Sequence, residues 1–503
     1  MVKRLSFVVF VVVALSSTFC ARSEAVSPKP TTAASTTTAS TTTTTAASTT
    51  TATTAELLFA QDLVVNLAGE DVGTMTSRDV RTKDGGAKLM RNADLTIRRG
   101  ETVTRLATTT TVYIDKAAQP LRYHFEKTDP GGTFVADGVV AADRKTLKIT
   151  SSQNGAPVDN VVALPAGFNF SVAIEHLVRS APKDGLRLET PTVLEEVGAV
   201  VPMKTAVKKN ADGTFTVSAS FSGMDTEEVI DSKGRTLVAR TPSVGLIAYP
   251  WGQVPDDVKA LLGQKKTADL LAVSTWKVKS VVPGVKRVVY RVTTPDAATF
   301  TVPEDNRQKV LARTATTIEI EVTDRPSTTT PLTGELRARA LSATPYEAVN
   351  DPRIQAAAKK ATAGATTDEE KVKALSHWVF GHVQKKSLDR GYAPAIATLE
   401  SKAGDCTEHS VLLSALLRAS GIPTRIVDGV VVDHTSAGYH EWVEVNLGKG
   451  FVAVDPTFDA WPAGPERLKL AQGSTLPDEH LTLSLAAARL LKHGVKLEVL
   501  SAQ

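Results

Sequence analysis

From about Glu56 to Asp324 apolar and polar residues alternate with a period of two. Phe215-Thr-Val-Ser-Ala-Ser-Phe221, Val288-Val-Tyr-Arg-Val292 and Ile318-Glu-Ile-Glu-Val322 are examples. Such a pattern puts one apolar face on a strand, and the Val and Thr that fill it favour a pleated sheet. Turn signals punctuate it at Asp84-Gly85-Gly86, Asp129-Pro130-Gly131-Gly132, Asn154-Gly155, Asp212-Gly213 and Ser232-Lys233-Gly234. Asn-Gly and Asp-Gly between alternating runs are strong hairpin signals. The expectation for residues 56–324 is a β-rich domain, an antiparallel sheet built as a sandwich or a curved open sheet. Short helices are expected near Ala173–Arg179 and Pro255–Leu262. No chemical motif stands out in this region, and its scattered titratable residues read as solvated sheet faces.

A chain of 503 residues with 42% hydrophobic content is long enough for two or three domains, each with its own core. A formal charge of +4 gives no reason to expect a nucleic-acid partner. The first 25 residues read as a signal peptide. Lys3 and Arg4 precede an apolar run, Leu5 to Leu15, too short to cross a bilayer. Two exits are open: cleavage after Ser23-Glu24-Ala25, or lipidation of Cys20 as an anchor. Residues 26–55, dominated by Thr, Ala and Ser, have little to bury and read as a disordered linker. The expected location is outside the cytoplasm: periplasmic, envelope-attached or extracellular.

After a linker at residues 325–345 the pattern changes to helices. Thr367-Asp-Glu-Glu370 is a capping box, followed by Val372, Leu375, Val379 and Val383 at helical spacing. A second helix begins at Cys406. Val411, Leu412, Leu413, Ala415, Leu416, Leu417 and Ala419 are apolar nearly all round, so it should be buried, and Gly421 and Pro423 stop it. Strands are expected at Thr424–Val432, Glu441–Val445 and Phe451–Val454. Residues 346–475 thus read as an α+β domain, and residues 476–503 as a helix and strand tail.

Cys406 opens the buried helix, where the dipole and unpaired backbone N–H groups lower a thiol's pKa and offer donors to an oxyanion. Asp405 before it reads as the helix cap. A hairpin folded about Leu447-Gly448 sets His440 opposite Asp455, both on one face. A carboxylate there fixes the imidazole tautomer. If that face looks at the start of the Cys406 helix, the three form a nucleophilic triad. The other reading is a buried inert cysteine, a hairpin-end histidine and a turn aspartate. The chain's other cysteine, Cys20, lies in so different a context that no structural disulfide is expected.

Four blocks then resemble the bacterial transglutaminase-like superfamily, over roughly Asp368 to Pro462. They are Gly404-Asp-Cys-Thr-Glu-His409, Ala415-Leu-Leu-Arg-Ala-Ser-Gly-Ile-Pro-Thr-Arg425, His440-Glu-Trp-Val-Glu-Val445 and Phe451-Val-Ala-Val-Asp-Pro-Thr457. The resemblance implies a papain-like fold, with Cys406 as nucleophile, His440 as base and acid, and Asp455 as orienter. It implies amide (peptide or isopeptide) hydrolysis through a thioester acyl-enzyme on a protein or peptide substrate, with no cofactor. Two alternatives stay open: a cross-linking transamidase, or a non-catalytic envelope scaffold with a vestigial triad, the β-rich region binding an envelope partner. His409, one helical turn after Cys406, reads as a partner or wall of the cleft, and Trp442 as a channel wall or a core residue. A Cys–His metal site from Cys406, His409, His434 and His440 matches no common zinc spacing. The stretch Gln384–Pro394 departs from the family pattern, so no upstream oxyanion donor is assigned. Glu441 stands where a small residue is usual.

Overall fold

The computed structural model describes residues 56–503, except 68, 100–101, 154–156, 243, 257, 260–273, 283, 296, 326–331, 333, 388–391 and 491–494. The expected signal peptide, Cys20, the Thr/Ala/Ser linker and the Asn154-Gly155 turn lie outside these residues.

The alternating region forms a single 15-stranded sheet from Leu57–Leu67 to Leu246–Pro250. Two runs of sequential neighbours make it, antiparallel throughout except where Asn169–Phe170 pairs in parallel with Arg187–Leu194. The first runs from Leu57–Leu67 out to the edge strand Val158–Ala163, and the second from the other edge, Asn169–Phe170, back to Leu246–Pro250. The first and last strands close the seam, with Leu63 opposite Pro250 and Leu67 opposite Leu246. Alternation does what a half-buried strand requires: in Met224–Ile230 the buried residues are Met224, Thr226, Glu228 and Ile230.

The helix Ser171–Ser180 shows that this sheet is curved. It packs against Thr102–Ile114 and also against Arg187–Leu194, nine strand spacings away in the sheet. Laid flat, that span is roughly 43 Å, and a helix is only about 10–12 Å across. The sheet therefore curls around the helix, which buries Val172, Ala173, Ile174 and Val178 in its hollow. A sealed ion network crosses the hollow. Arg91 pairs with Asp79 at 2.6 Å and Glu175 at 3.1 Å, and Arg179 pairs with Glu175 at 2.9 Å and Glu228 at 2.5 Å. Of the two expected architectures, the curved open sheet is the one observed.

The long sheet stops at Pro250, and the remaining strands before Asp324 pair elsewhere. Thr275–Val281 joins Thr424–Asn446, while Arg287–Thr293 sits between Thr317–Thr323 and the terminal strand Lys496–Ala502. Alternation up to Asp324 marks these strands but does not say which sheet takes them.

In the last third the helix Cys406–Ala419 is central, with every residue from Cys406 to Arg418 buried. One side meets the strand Thr424–Asn446; others meet the helices Pro352–Ala361, Asp368–His382 and Ala395–Ser401. Leu412, Leu413, Leu416 and Leu417 are each 0% exposed, a burial worth about 1.5–3 kcal/mol apiece. The two strands expected from Thr424 to Val445 are one element, Thr424–Asn446, and Arg467–Gly473 pairs with its first half. This α+β region and the curved sheet make the chain a multidomain, β-rich protein.

Candidate active site

Local sequence fixes the start of the Cys406 helix. Asp405 Oδ1 accepts from Thr407 N at 3.0 Å, and Glu408 Oε2 accepts from Asp405 N at 2.9 Å, a reciprocal capping box. The other Glu408 oxygen accepts from Ala393 N at 2.8 Å. Burial pushes the Glu408 carboxyl up to about 8, with Asp405 adding to the effect. Gly404 has φ +157°, and a Cβ there would lie 2.3 Å from Glu408 Cβ, so only glycine fits before this cap.

A hydrogen bond from Ser410 Oγ to Glu441 O, 3.0 Å long, ties this helix to the histidine strand. Ser410 stands one turn beyond Cys406, so both lie on the helix face that meets residues 440–441. His440 Nε2 lies 2.7 Å from Asp455 Oδ2. The same carboxylate takes Arg467 Nε at 2.8 Å, and its Oδ1 accepts from Thr457 N at 3.0 Å. Burial acts to raise the Asp455 carboxyl, but His440 and Arg467 outweigh it and hold it well below the usual carboxylate range. Trp442 lies nearly parallel to the imidazole at 6.3 Å, and Phe458 meets it edge-on at 5.4 Å.

The hairpin register differs from expectation by two residues. Val443 pairs with Val454 and Asn446 with Phe451, which sets Asp455 across from Trp442 rather than His440. A shift of two keeps the face, and the diagonal neighbour remains in reach. The turn closes over Gly448 and Gly450, both at positive φ.

Of the two readings of Trp442, its burial fits the core one: it is fully buried with Val427, Ala453 and Ala463, behind the imidazole. Cys406, 2% exposed, is disulfide-bonded in the structure, whereas no structural disulfide was expected. The sequence's other cysteine, Cys20, lies outside the described residues.

His409 is buried against the cleft. Its Nδ1 is 2.6 Å from Asp405 O and its Nε2 is 2.7 Å from Lys386 Nζ. Burial, and next Lys386, lower its pKa to about 4. His434 is an exposed residue within the strand Thr424–Asn446, paired with Asp433 at 2.7 Å. Glu441 is buried beside Asp428; burial raises the Glu441 carboxyl well above its usual value and Asp428 to about 7. Sequence reasoning missed Arg467, Lys386 and Asp428, none of which stands in a motif. Two cavities of about 410 and 380 Å³ lie elsewhere, one in the curved sheet and one beside Arg425 and Phe451, and neither is lined by Cys406, His440 or Asp455.

Residues 355–456 match the Transglutaminase-like superfamily. The chain carries a transglutaminase-like domain. The match spans roughly a fifth of the sequence. No curated protein matches the chain. Among solved structures, the "Putative Cysteine Protease from Cytophaga hutchinsonii" is 15% identical, with 46% of this chain and 89% of that one covered and a TM-score of 0.30. A beta-barrel-like protein of a domain of unknown function from Brucella abortus is 13% identical over 38% of this chain and 92% of its own, TM-score 0.28. A "Putative Protease from Parabacteroides distasonis" is 13% identical over 77% and 69%, TM-score 0.19. Likeness this slight supports no inference about activity.

Proposed function

We propose that the transglutaminase-like domain is an exported cysteine hydrolase acting on amide bonds, with Cys406 as nucleophile, His440 as acid and base, and Asp455 as orienter. The observation that supports it most is the buried His440–Asp455 pair, locked by Arg467 and Thr457 N, on the strand that Ser410 ties to the Cys406 helix. Asp455 accepts a proton-bearing Nε2, which leaves Nδ1 as the nitrogen to take the thiol proton. The thiolate attacks the carbonyl carbon, and the oxyanion is met by the backbone N–H of Cys406 at the helix start. His440 Nδ1 returns the proton to the departing amine, leaving a thioester. Water then attacks, giving the acid and the free thiol. A peptide or protein supplies the amide. Export is a reading of the leader; among the described residues no helix is long and apolar enough to cross a membrane.

The chemistry belongs to the reduced state, because a sulfur held in a disulfide is no nucleophile. The test is to reduce the full chain, remove the reductant, and follow iodoacetamide labelling at Cys406 by peptide mapping across pH. Rapid labelling well below the ordinary thiol value of about 8.5, slowed in His440→Ala, is expected. Labelling that tracks an ordinary thiol titration overturns the reading. In the same preparation, a glutamine peptide offered with an amine should yield the free acid; adduct alone would mean transamidation.

A further inference from the structure

We infer that Lys386 is a specificity residue of this cleft, selecting substrates that carry a carboxylate beside the scissile amide. The inference rests on the cysteine-hydrolase reading above.

The backbone places Lys386 first. The two-residue strand Lys385–Lys386 pairs in parallel with Ala403–Gly404, with Lys386 level with Gly404, two residues before Cys406. Its side chain is then aimed by His409. The backbone carbonyl 2.6 Å from His409 Nδ1 can only accept, so that nitrogen carries the proton. Nε2 is left with its lone pair, and it accepts from Lys386 Nζ at 2.7 Å. His409 is fully buried and stays neutral at physiological pH, so it anchors the ammonium without cancelling its charge. The Phe380 ring, 5.5 Å from Nζ, flanks it.

The charge faces the site and is not consumed there. Partial burial of the ammonium lowers the Lys386 pKa and Asp455 opposes that electrostatically, yet the Asp455 oxygens are taken by His440, Arg467 and Thr457 N. An ammonium has three donors, and His409 uses one. Lys386 is solvent-exposed, and no carboxylate lies within ion-pair distance among the described residues. Glu408, Asp428 and Glu441 are buried beneath the cleft, and burial favours their neutral forms. Asp405, beside Cys406, is buried as the helix cap with its Oδ1 taken by Thr407, so among the described residues the exposed charge on this side of Cys406 is positive and a substrate carboxylate would be its counter-charge.

Two alkylating probes that differ only by a carboxylate test this on Cys406 itself. In the reduced full chain, iodoacetate and iodoacetamide rates are measured at Cys406 near pH 7 and compared as a ratio. One unit charge at cleft distances in partly screened surroundings changes the ratio by about tenfold. Lys386→Met should lower the iodoacetate-to-iodoacetamide ratio by about that factor, and Lys386→Arg should keep it. A ratio unchanged in Lys386→Met overturns the inference, as does an equal loss with both reagents, which would make Lys386 a general support of the thiolate. If both reagents are slow in the unaltered protein, it is the hydrolase reading that fails. A circular-dichroism spectrum and melting temperature matching the parent show that the variant is folded.

Discussion

Asp455 shows how much one carboxylate has to do. It fixes the His440 tautomer and balances Arg467 where all three side chains are buried, so removing a partner leaves a charge uncompensated in low dielectric. His440 Nε2 and Arg467 Nε share Oδ2 while Thr457 N takes Oδ1, so an asparagine, neutral and with an NH2 in place of one oxygen, loses the charge and sets a donor against a donor. Asp455→Asn should therefore return the Cys406 thiol toward its ordinary titration, and iodoacetamide labelling at pH 6 should slow by at least about tenfold, while labelling at pH 9 changes little. An equal loss at both pH values would assign Asp455 a purely structural role. His440 and Asp455 were legible beforehand because a short hairpin carries both. Arg467 and Lys386 were not: each meets the site across a chain reversal that no local pattern encodes.

At the scale of elements, the start of the Cys406 helix was readable and its partners were not. Thr367 with Glu370, and Asp405 with Glu408, form capping boxes in the structure, since these need only residues three apart. Gly404 belongs to the same local logic. Gly404→Ala forces a Cβ into Glu408 at a φ that L residues avoid, and should cost roughly 2 kcal/mol or more of stability and slow Cys406 labelling together. Urea unfolding of the variant measures the first effect; an unchanged midpoint would show that Glu408 moves aside freely. The hairpin register differs from the expected one by two, which keeps His440 and Asp455 on one face, where a difference of one would have put them on opposite faces.

In the whole molecule the curved sheet and the transglutaminase-like domain touch through a compact aromatic contact. Phe134 stacks on Tyr346 at 5.4 Å, and Tyr346 meets Tyr392 and His480 edge-on. Gly131, at the hairpin tip, faces Ala393, whose N–H bonds Glu408 beneath the Cys406 helix. Buried carboxyls also set the global pH response. Burial raises Glu195 to about 7 and Glu196 to about 8, as it does Asp428 and Glu408. In the unfolded chain such groups ionise near pH 4, so the folded state binds more protons between about pH 4 and 8, and stability falls as pH rises through that window. Buried His409 and His480, lowered to about 4 and about 3, act oppositely, losing stability as pH falls below about 6.5. Asp455, held low, loses its contribution only below about pH 4. The carboxyls outnumber the histidines, so the melting temperature should peak near pH 4–5 and decline toward pH 8. Glu196→Gln should flatten that decline, and a peak above pH 7 would contradict the balance.

Sequence alone determined the strands of the long sheet, the capped and buried Cys406 helix, and the shared face of His440 and Asp455. Each depends on periodicity or on contacts a few residues apart. Tertiary structure decided that the sheet curls around the helix Ser171–Ser180, that the strands after Thr275 serve the second half of the chain, and that Lys386 and Arg467 join the cleft. Those outcomes depend on which distant surfaces bury each other, and a one-dimensional pattern fixes the face of a strand without naming its neighbour.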